Sequence, residues 1–65
     1  MQLVINGQSR EVSAESLAEL LVELQLDSSH VAVELNQAIV ESSQFATTAL
    51  NENDRLEVIQ FVGGG

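Results

Sequence analysis

Leu3-Val4-Ile5-Asn6-Gly7-Gln8-Ser9-Arg10-Glu11-Val12 is the stretch on which the fold turns, and Ser16–Leu24 completes its meaning. A short apolar run meets Asn6-Gly7, the strongest two-residue hairpin signal, because both residues tolerate the positive φ of a type I′ turn. The chain then returns from Gln8 to Val12, giving two strands and a tight turn. Leu17, Leu20, Leu21 and Leu24 follow at i, i+3, i+4 and i+7, one face of a 3.6-residue helix. Ser16 with Glu19 reads as a capping box, in which two side chains satisfy orphan N–H groups of the first turn. Glu15, Glu19 and Glu23 form an acidic stripe on another face, read as solvated, and Glu15 lies where the helix dipole favours an anion. The helix fades near Gln25, and Asp27-Ser28-Ser29 reads as a loop.

Further along, Val31, Val33 and Leu35 alternate with Ala32 and Glu34, the pattern of a half-buried strand. Asn36-Gln37 makes a turn and Ala38-Ile39-Val40 a short return strand. Glu41 to Leu50 is mostly polar and reads as a loop with at most one turn of helix, anchored by Phe45 and Leu50. Asn51-Glu52-Asn53-Asp54 is a turn cluster. Leu56 to Val62 is the last strand, with Leu56 and Val58 facing inward and Glu57, Ile59 and Phe61 on the other face. The order is ββαββ, a turn-rich stretch, then β. One helix covering one face of a mixed sheet of about five strands is the economical way to bury the leucine stripe. The first and last strands are the most apolar, which places them side by side at the sheet centre. The expectation is an α+β, ubiquitin-like β-grasp domain over residues 1–62, with a flexible glycine tail at residues 63–65.

Composition narrows the function. The 65 residues make one domain, which at this size buries only about 60% of the surface its unfolded chain exposes and has little left to wall off a private active site. With no cysteine, a disulfide scaffold, a thiolate metal site and a cysteine nucleophile are excluded. No apolar run approaches the ~20 residues of a bilayer span, and the N-terminus lacks the features of a signal peptide. A soluble cytoplasmic protein is expected. Ten acids face two bases, Arg10 and Arg55, for a net charge of −8. Nucleic acid and anionic membrane are therefore poor partners, because binding them needs Lys and Arg. A basic patch on a protein partner would be steered toward this surface. The chain has no lysine, so no side-chain amine could accept an isopeptide-linked modifier. His30, the single histidine, would need partners with inward geometry to act as a general base or metal ligand; beside a Ser-rich loop it reads as an ordinary surface or strand-edge residue. The glutamates lack the Gly-bent loop of a calcium site, so no metal site and no catalytic residue are expected.

Gly63-Gly64-Gly65 is the chemical signal. Glycine lacks Cβ, so its backbone passes close to other atoms, and three extended residues span about 10 Å. Such a tail can thread a narrow channel and present its terminal carboxylate inside another protein's active site. A carboxylate is a poor electrophile. ATP converts it to an acyl adenylate, a sulfur nucleophile displaces AMP, and a thiocarboxylate is left. Gly7 stands alone and no Gly-rich phosphate loop is present, so no cofactor is expected on this chain and ATP would be consumed by a partner. A passive interaction domain with an idle tail is the competing class. An enzyme is disfavoured by the small size and the missing cofactor motifs.

The element order, the Leu17/Leu20/Leu21/Leu24 helix, the strand pair from Val33 to Val40, the Asn53-Asp54 turn and the ending Ile59-Gln60-Phe61-Val62-Gly63-Gly64-Gly65 resemble, over the whole chain, the ThiS family of bacterial sulfur carriers in thiamin biosynthesis. The ending is the most specific part. The resemblance implies a protein co-substrate rather than an enzyme. A ThiF-like adenylating enzyme activates the terminal glycine, a persulfide donor supplies sulfur, and the thiocarboxylate serves a ThiG-like thiazole synthase. Carried over, Gly65 holds the thiocarboxylate, Gly64 is its diglycine partner, and Gly63 lies outside the pair. The small subunit of molybdopterin synthase shares the fold and the diglycine, but usually runs longer and often carries prolines before its tail; this chain has none. A ubiquitin-like protein modifier would use the same activated tail and end in an amide bond. Ile59 and Phe61, near Val4 on the exposed sheet face, together with Val62, are expected to form the partner-docking surface, since clustered exposed apolar residues beside a reactive tail mark a contact site. The free protein is expected to be a monomer.

Overall fold

The computed structural model describes residues 1–61. Gln2–Ile5 (β1) and Gln8–Glu11 (β2) form an antiparallel hairpin, followed by the helix Leu17–Glu23 (α1) and a 3-10 turn at Ser28–His30. Val31–Leu35 (β3) and Ala38–Val40 (β4) form a second antiparallel hairpin, then come a 3-10 segment at Ser42–Thr47 and the strand Arg55–Gln60 (β5). The five strands make one sheet in the order β2-β1-β5-β3-β4. β1 and β5 run parallel and β3 and β5 antiparallel. This is the β-grasp, with the first and last strands adjacent and β5 at the centre.

Each hairpin closes through two residues of positive φ: Asn6 and Gly7 at 52° and 80°, Asn36 and Gln37 at 50° and 73°. That is the requirement of a type I′ turn, whose twist matches the strands it joins. Glycine meets it freely at position 7, whereas Gln37 adopts it with a side chain, a conformation that costs roughly 1–2 kcal/mol.

The capping box forms as the sequence indicates. Ser16 Oγ accepts the Glu19 N–H at 3.1 Å, and Glu19 Oε1 accepts the Ser16 and Glu15 N–H groups at 3.2 and 2.8 Å. The acidic stripe differs from the solvated face expected of it. Glu23 also turns back, and its carboxylate accepts the N–H groups of Ser13 and Ala14 at 3.1 and 3.0 Å. Residues 13–16 have left the β2 ladder, and their backbone donors need acceptors. Two of the three glutamates therefore fasten the strand-to-helix connection. The helix ends in a Schellman motif: Leu26 N–H donates to Leu21 C=O at 2.8 Å and Gln25 N–H to Val22 C=O at 3.0 Å. Gln25 occupies the left-handed position, with φ 62°.

Seven helical residues are too few to stand alone in water. Tertiary burial holds them, since Leu17, Leu20 and Leu21 pack with Leu3, Ile5, Val33, Leu56 and Phe45 in the single core. Phe45 accounts for the main departure between helix and last strand. Instead of at most one helical turn, Ser42–Thr47 winds a six-residue 3-10 segment that sinks Phe45 into the core. It is tied to the helix start by Leu17 N–H to Thr48 C=O at 2.9 Å and Leu50 N–H to Glu15 C=O at 3.0 Å. Likewise the Asp27-Ser28-Ser29 loop tightens into the 3-10 turn, with the Asp27 carboxylate accepting the Ser29 N–H at 2.9 Å. No helix among the described residues is long and apolar enough to cross a membrane.

Candidate docking site at the base of the C-terminal tail

Pairing of β3 with β5 runs from Leu35 opposite Leu56 to Val31 opposite Gln60. One further bond extends it, from Phe61 N–H to the His30 carbonyl at 2.7 Å. The chain is thus held in the sheet as far as Phe61, beside the turn at residues 28–30. That turn is knotted by Asp27. Its carboxylate accepts from the Ser29 hydroxyl at 2.7 Å and lies 3.1 Å from His30 Nδ1. The Ser29 N–H, the Ser29 hydroxyl and the His30 ring, in that order, hold the Asp27 carboxyl below its ordinary value.

The face of the sheet away from the helix is open. On β5, Leu56 and Val58 are buried while Arg55, Glu57 and Ile59 are exposed, the alternation read from the sequence; it stops at the strand's end, where Gln60 and the following Phe61 are both exposed. Ile59 and Phe61 are 60% and 53% exposed. Ala32 lies opposite Ile59, Glu34 opposite Glu57, and Ile39 of β4 opposite Glu34. Ile39 is 79% exposed, so it joins the apolar strip although sequence reasoning did not single it out. The signal was present: the two-residue turn at Asn36-Gln37 sets Leu35 against Ala38 and so Glu34 against Ile39. With Val33 buried, both must face outward.

Val4 shares this face but not this neighbourhood. It pairs with Arg55, four residues before Ile59, or about 13 Å along a strand. The parallel pairing begins at the start of β5 and β1 turns away after Ile5, so β1 never runs beside Ile59. Ala32, Val33, Glu34, Ile39, Glu57 and Ile59 line a shallow cleft of about 180 Å³ there. Val62, Gly63, Gly64 and Gly65, the remainder of the expected site, lie outside the described residues. Among the described residues no three His, Asp or Glu side chains converge on a metal-sized site.

The model of the ThiS family matches residues 3–65. The chain belongs to the ThiS family. It is 30% identical to the sulfur carrier protein ThiS of Escherichia coli, with both chains covered in full. A crystal structure of a thiamine biosynthesis protein (ThiS) from Geobacter metallireducens superposes with a TM-score of 0.83 at 36% identity, again over the whole of both chains. The chain is also 52% identical to a stretch of a thiazole synthase from Paramagnetospirillum magneticum, but spans only 20% of that protein's length. ThiS membership agrees with the described site: a tail base fixed in the central strand and flanked by an apolar strip.

Proposed function

We propose that this ThiS family member is a sulfur carrier for thiazole formation in thiamin biosynthesis, with Gly65 as the residue that is activated. Family membership over residues 3–65, which includes the glycine run, is the observation that carries the reading. A carboxylate oxygen of Gly65 attacks the α-phosphorus of ATP on a ThiF-like partner, and pyrophosphate leaves. The terminal sulfur of a persulfide then attacks the acyl carbon and AMP leaves. A thiol cleaves the resulting acyl disulfide, is itself oxidised to a disulfide, and frees the thiocarboxylate. The carrier contributes presentation rather than catalysis. A carboxylate must reach a deep site, and the absence of a Cβ lets a glycine tail pass where other residues would clash.

Thiazole synthase is the proposed acceptor. This is supported by the thiazole synthase of which a stretch is 52% identical to this chain. It also favours the thiamin reading over transfer to molybdopterin or to a protein amine. Ile59, Phe61 and Val62, with Val4 at the far end of the same face, would meet these partners, and the reactions would take place in the cytoplasm. The decisive experiment is intact-mass measurement after incubation with the adenylating enzyme, ATP and a persulfide donor. A mass gain equal to one oxygen replaced by sulfur, placed on Gly65 by tandem fragmentation, is expected. No gain, or a gain elsewhere in the chain, rejects the proposal.

A further inference from the structure

The ladder between β3 and β5 ends on a half-made rung. A hydrogen-bonded pair in an antiparallel ladder exchanges two N–H to C=O bonds. One step beyond Val31 opposite Gln60 stand His30 and Phe61. Phe61 N–H donates to the His30 carbonyl at 2.7 Å, but His30 N–H turns back and donates to the Asp27 carbonyl at 2.9 Å. The 3-10 turn thus offers β5 a final acceptor and engages the donor that would carry the ladder further. Asp27 sets up both. Its Oδ1 accepts the Ser29 N–H and hydroxyl at 2.9 and 2.7 Å, and its Oδ2 lies 3.1 Å from His30 Nδ1. Backbone and side chain of one residue therefore hold His30 in place. The side chains of Asp27 and His30 are both more than half exposed, so bonding rather than burial fixes the turn.

We propose that Asp27 is a positioning residue for the tail: through His30 it sets the point at which the chain leaves the sheet, and hence where the Gly65 carboxylate can be placed. The inference rests on the carrier reading above, in which Gly65 is the residue activated. Four residues, Val62 to Gly65, then follow the Phe61 rung, and four residues span at most about 14 Å. A rung that opens adds a fifth residue whose dihedrals must be ordered when the carboxylate meets ATP. Fixing the backbone of one residue costs about tenfold in an equilibrium. Alignment lost only in the reacting complex lowers kcat and leaves KM in place.

The test follows ATP–pyrophosphate exchange by the adenylating enzyme of the same organism, with the carrier concentration varied, beside amide hydrogen exchange of the free carrier. Asp27→Ala should lower kcat about tenfold and keep KM within about twofold. It should also speed exchange at the Phe61 amide and leave the Val58 amide, bonded to Asn6 Oδ1 at 2.8 Å, protected. Asp27→Asn keeps a side-chain oxygen for Ser29 and should restore both readouts. Ser16→Ala removes a cap at the other end of α1, so it should lower the melting temperature without changing kcat. An unchanged kcat in Asp27→Ala overturns the assignment. So does a kcat loss that Ser16→Ala shares in proportion to its melting temperature, or one that appears with the Phe61 amide still protected. A wild-type carrier that supports no pyrophosphate exchange rejects the carrier reading and the positioning role with it; normal wild-type exchange with an unaffected Asp27→Ala rejects only the role.

Discussion

The side-chain amide of Asn6 bonds twice to the backbone of Val58, donating to its carbonyl at 3.1 Å and accepting its N–H at 2.8 Å. The parallel pairing of β1 and β5 includes Val4 N–H to Asp54 C=O and Asn6 N–H to Leu56 C=O, both at 2.9 Å. Where β1 turns away, the Asn6 side chain supplies the next rung. Asn36 does the same work from the other hairpin. Its Oδ1 accepts the Arg55 N–H at 3.0 Å, its Nδ2 donates to Asp54 Oδ1 at 3.0 Å, and its own N–H donates to the Arg55 carbonyl at 2.7 Å. The asparagine that opens each type I′ turn therefore grips the central strand, and the strand that carries the tail is clamped from both sides.

Asn6→Ala should cost about 2 kcal/mol, from two lost hydrogen bonds and a left-handed conformation that alanine resists. Asn6→Gly keeps that conformation and should lose roughly 1 kcal/mol less. Urea unfolding of the two variants separates the contributions. Equal losses would show that the turn dihedral contributes nothing.

Asp54 is the buried polar residue among the described residues. Its Oδ2 accepts the Asn51 N–H at 2.8 Å while its Oδ1 takes the Asn36 amide. Asp54→Ala would leave two part-buried donors without their acceptor, at about 1–3 kcal/mol. Asp54→Asn keeps the shape but turns an NH2 toward one of those donors, so it should also destabilise. Thermal melts would check the order wild type, then Asn, then Ala. An unaffected Asn variant would mean that the donors find other acceptors.

The hairpins, the capped helix and the facing of β5 were legible because each is local. Asn6-Gly7 fixes a turn, Ser16 with Glu19 fixes a helix start, and alternation fixes which of Leu56 to Ile59 point inward. What was not legible depended on distant partners. Asp54 and the two asparagines read as turn formers, and only the meeting of both hairpins at β5 makes them side-chain rungs. Glu23 read as solvated until the β2-to-α1 connection brought two bare N–H groups to it. Val4 could be assigned to the open face by parity, but its distance from Ile59 follows from the β1–β5 register, which no local pattern encodes.

Gln25→Gly should stabilise the protein. The C′ position of the Schellman motif holds φ 62°, which glycine takes without the Cβ penalty. A gain of about 0.5–1 kcal/mol remains after glycine's greater unfolded-state entropy is subtracted. A rise in melting temperature and urea midpoint would confirm it. A fall would mean that the Gln25 side chain makes contacts outweighing its dihedral strain.

Stability should be flat through the neutral-to-mildly acidic range and fall at both ends. The folded-state value of Asp27 lies below its ordinary 3.8, so its contribution is present above that value and lost as pH falls through the lower, folded one. The α-amino group of Met1, hydrogen-bonded to Glu11 at 3.0 Å, is raised above 8.0; its contribution is present below 8.0 and lost as pH rises through the higher, folded value. Asp27→Asn should flatten only the acid limb of a urea-midpoint profile, and Glu11→Gln should flatten the alkaline limb. An acid limb unchanged by Asp27→Asn would locate acid sensitivity elsewhere.

Phe61→Asp and Ile59→Asp should separate docking from folding. Both side chains are more than half exposed on the open face, and substitutions at such positions usually change stability by no more than about 0.5 kcal/mol. If this face meets the adenylating enzyme, an aspartate there buries an unpaired charge in the interface and should weaken the complex at least about tenfold. Val22 supplies the control. It is 77% exposed, but on the helix side of the sheet, so Val22→Asp adds the same charge without touching the proposed surface. Affinities measured beside melting temperatures should show the Ile59 and Phe61 variants weak and stable and the Val22 variant indistinguishable from wild type. An equal loss in all three would trace the effect to net charge. Normal binding by Phe61→Asp would remove that residue from the docking face.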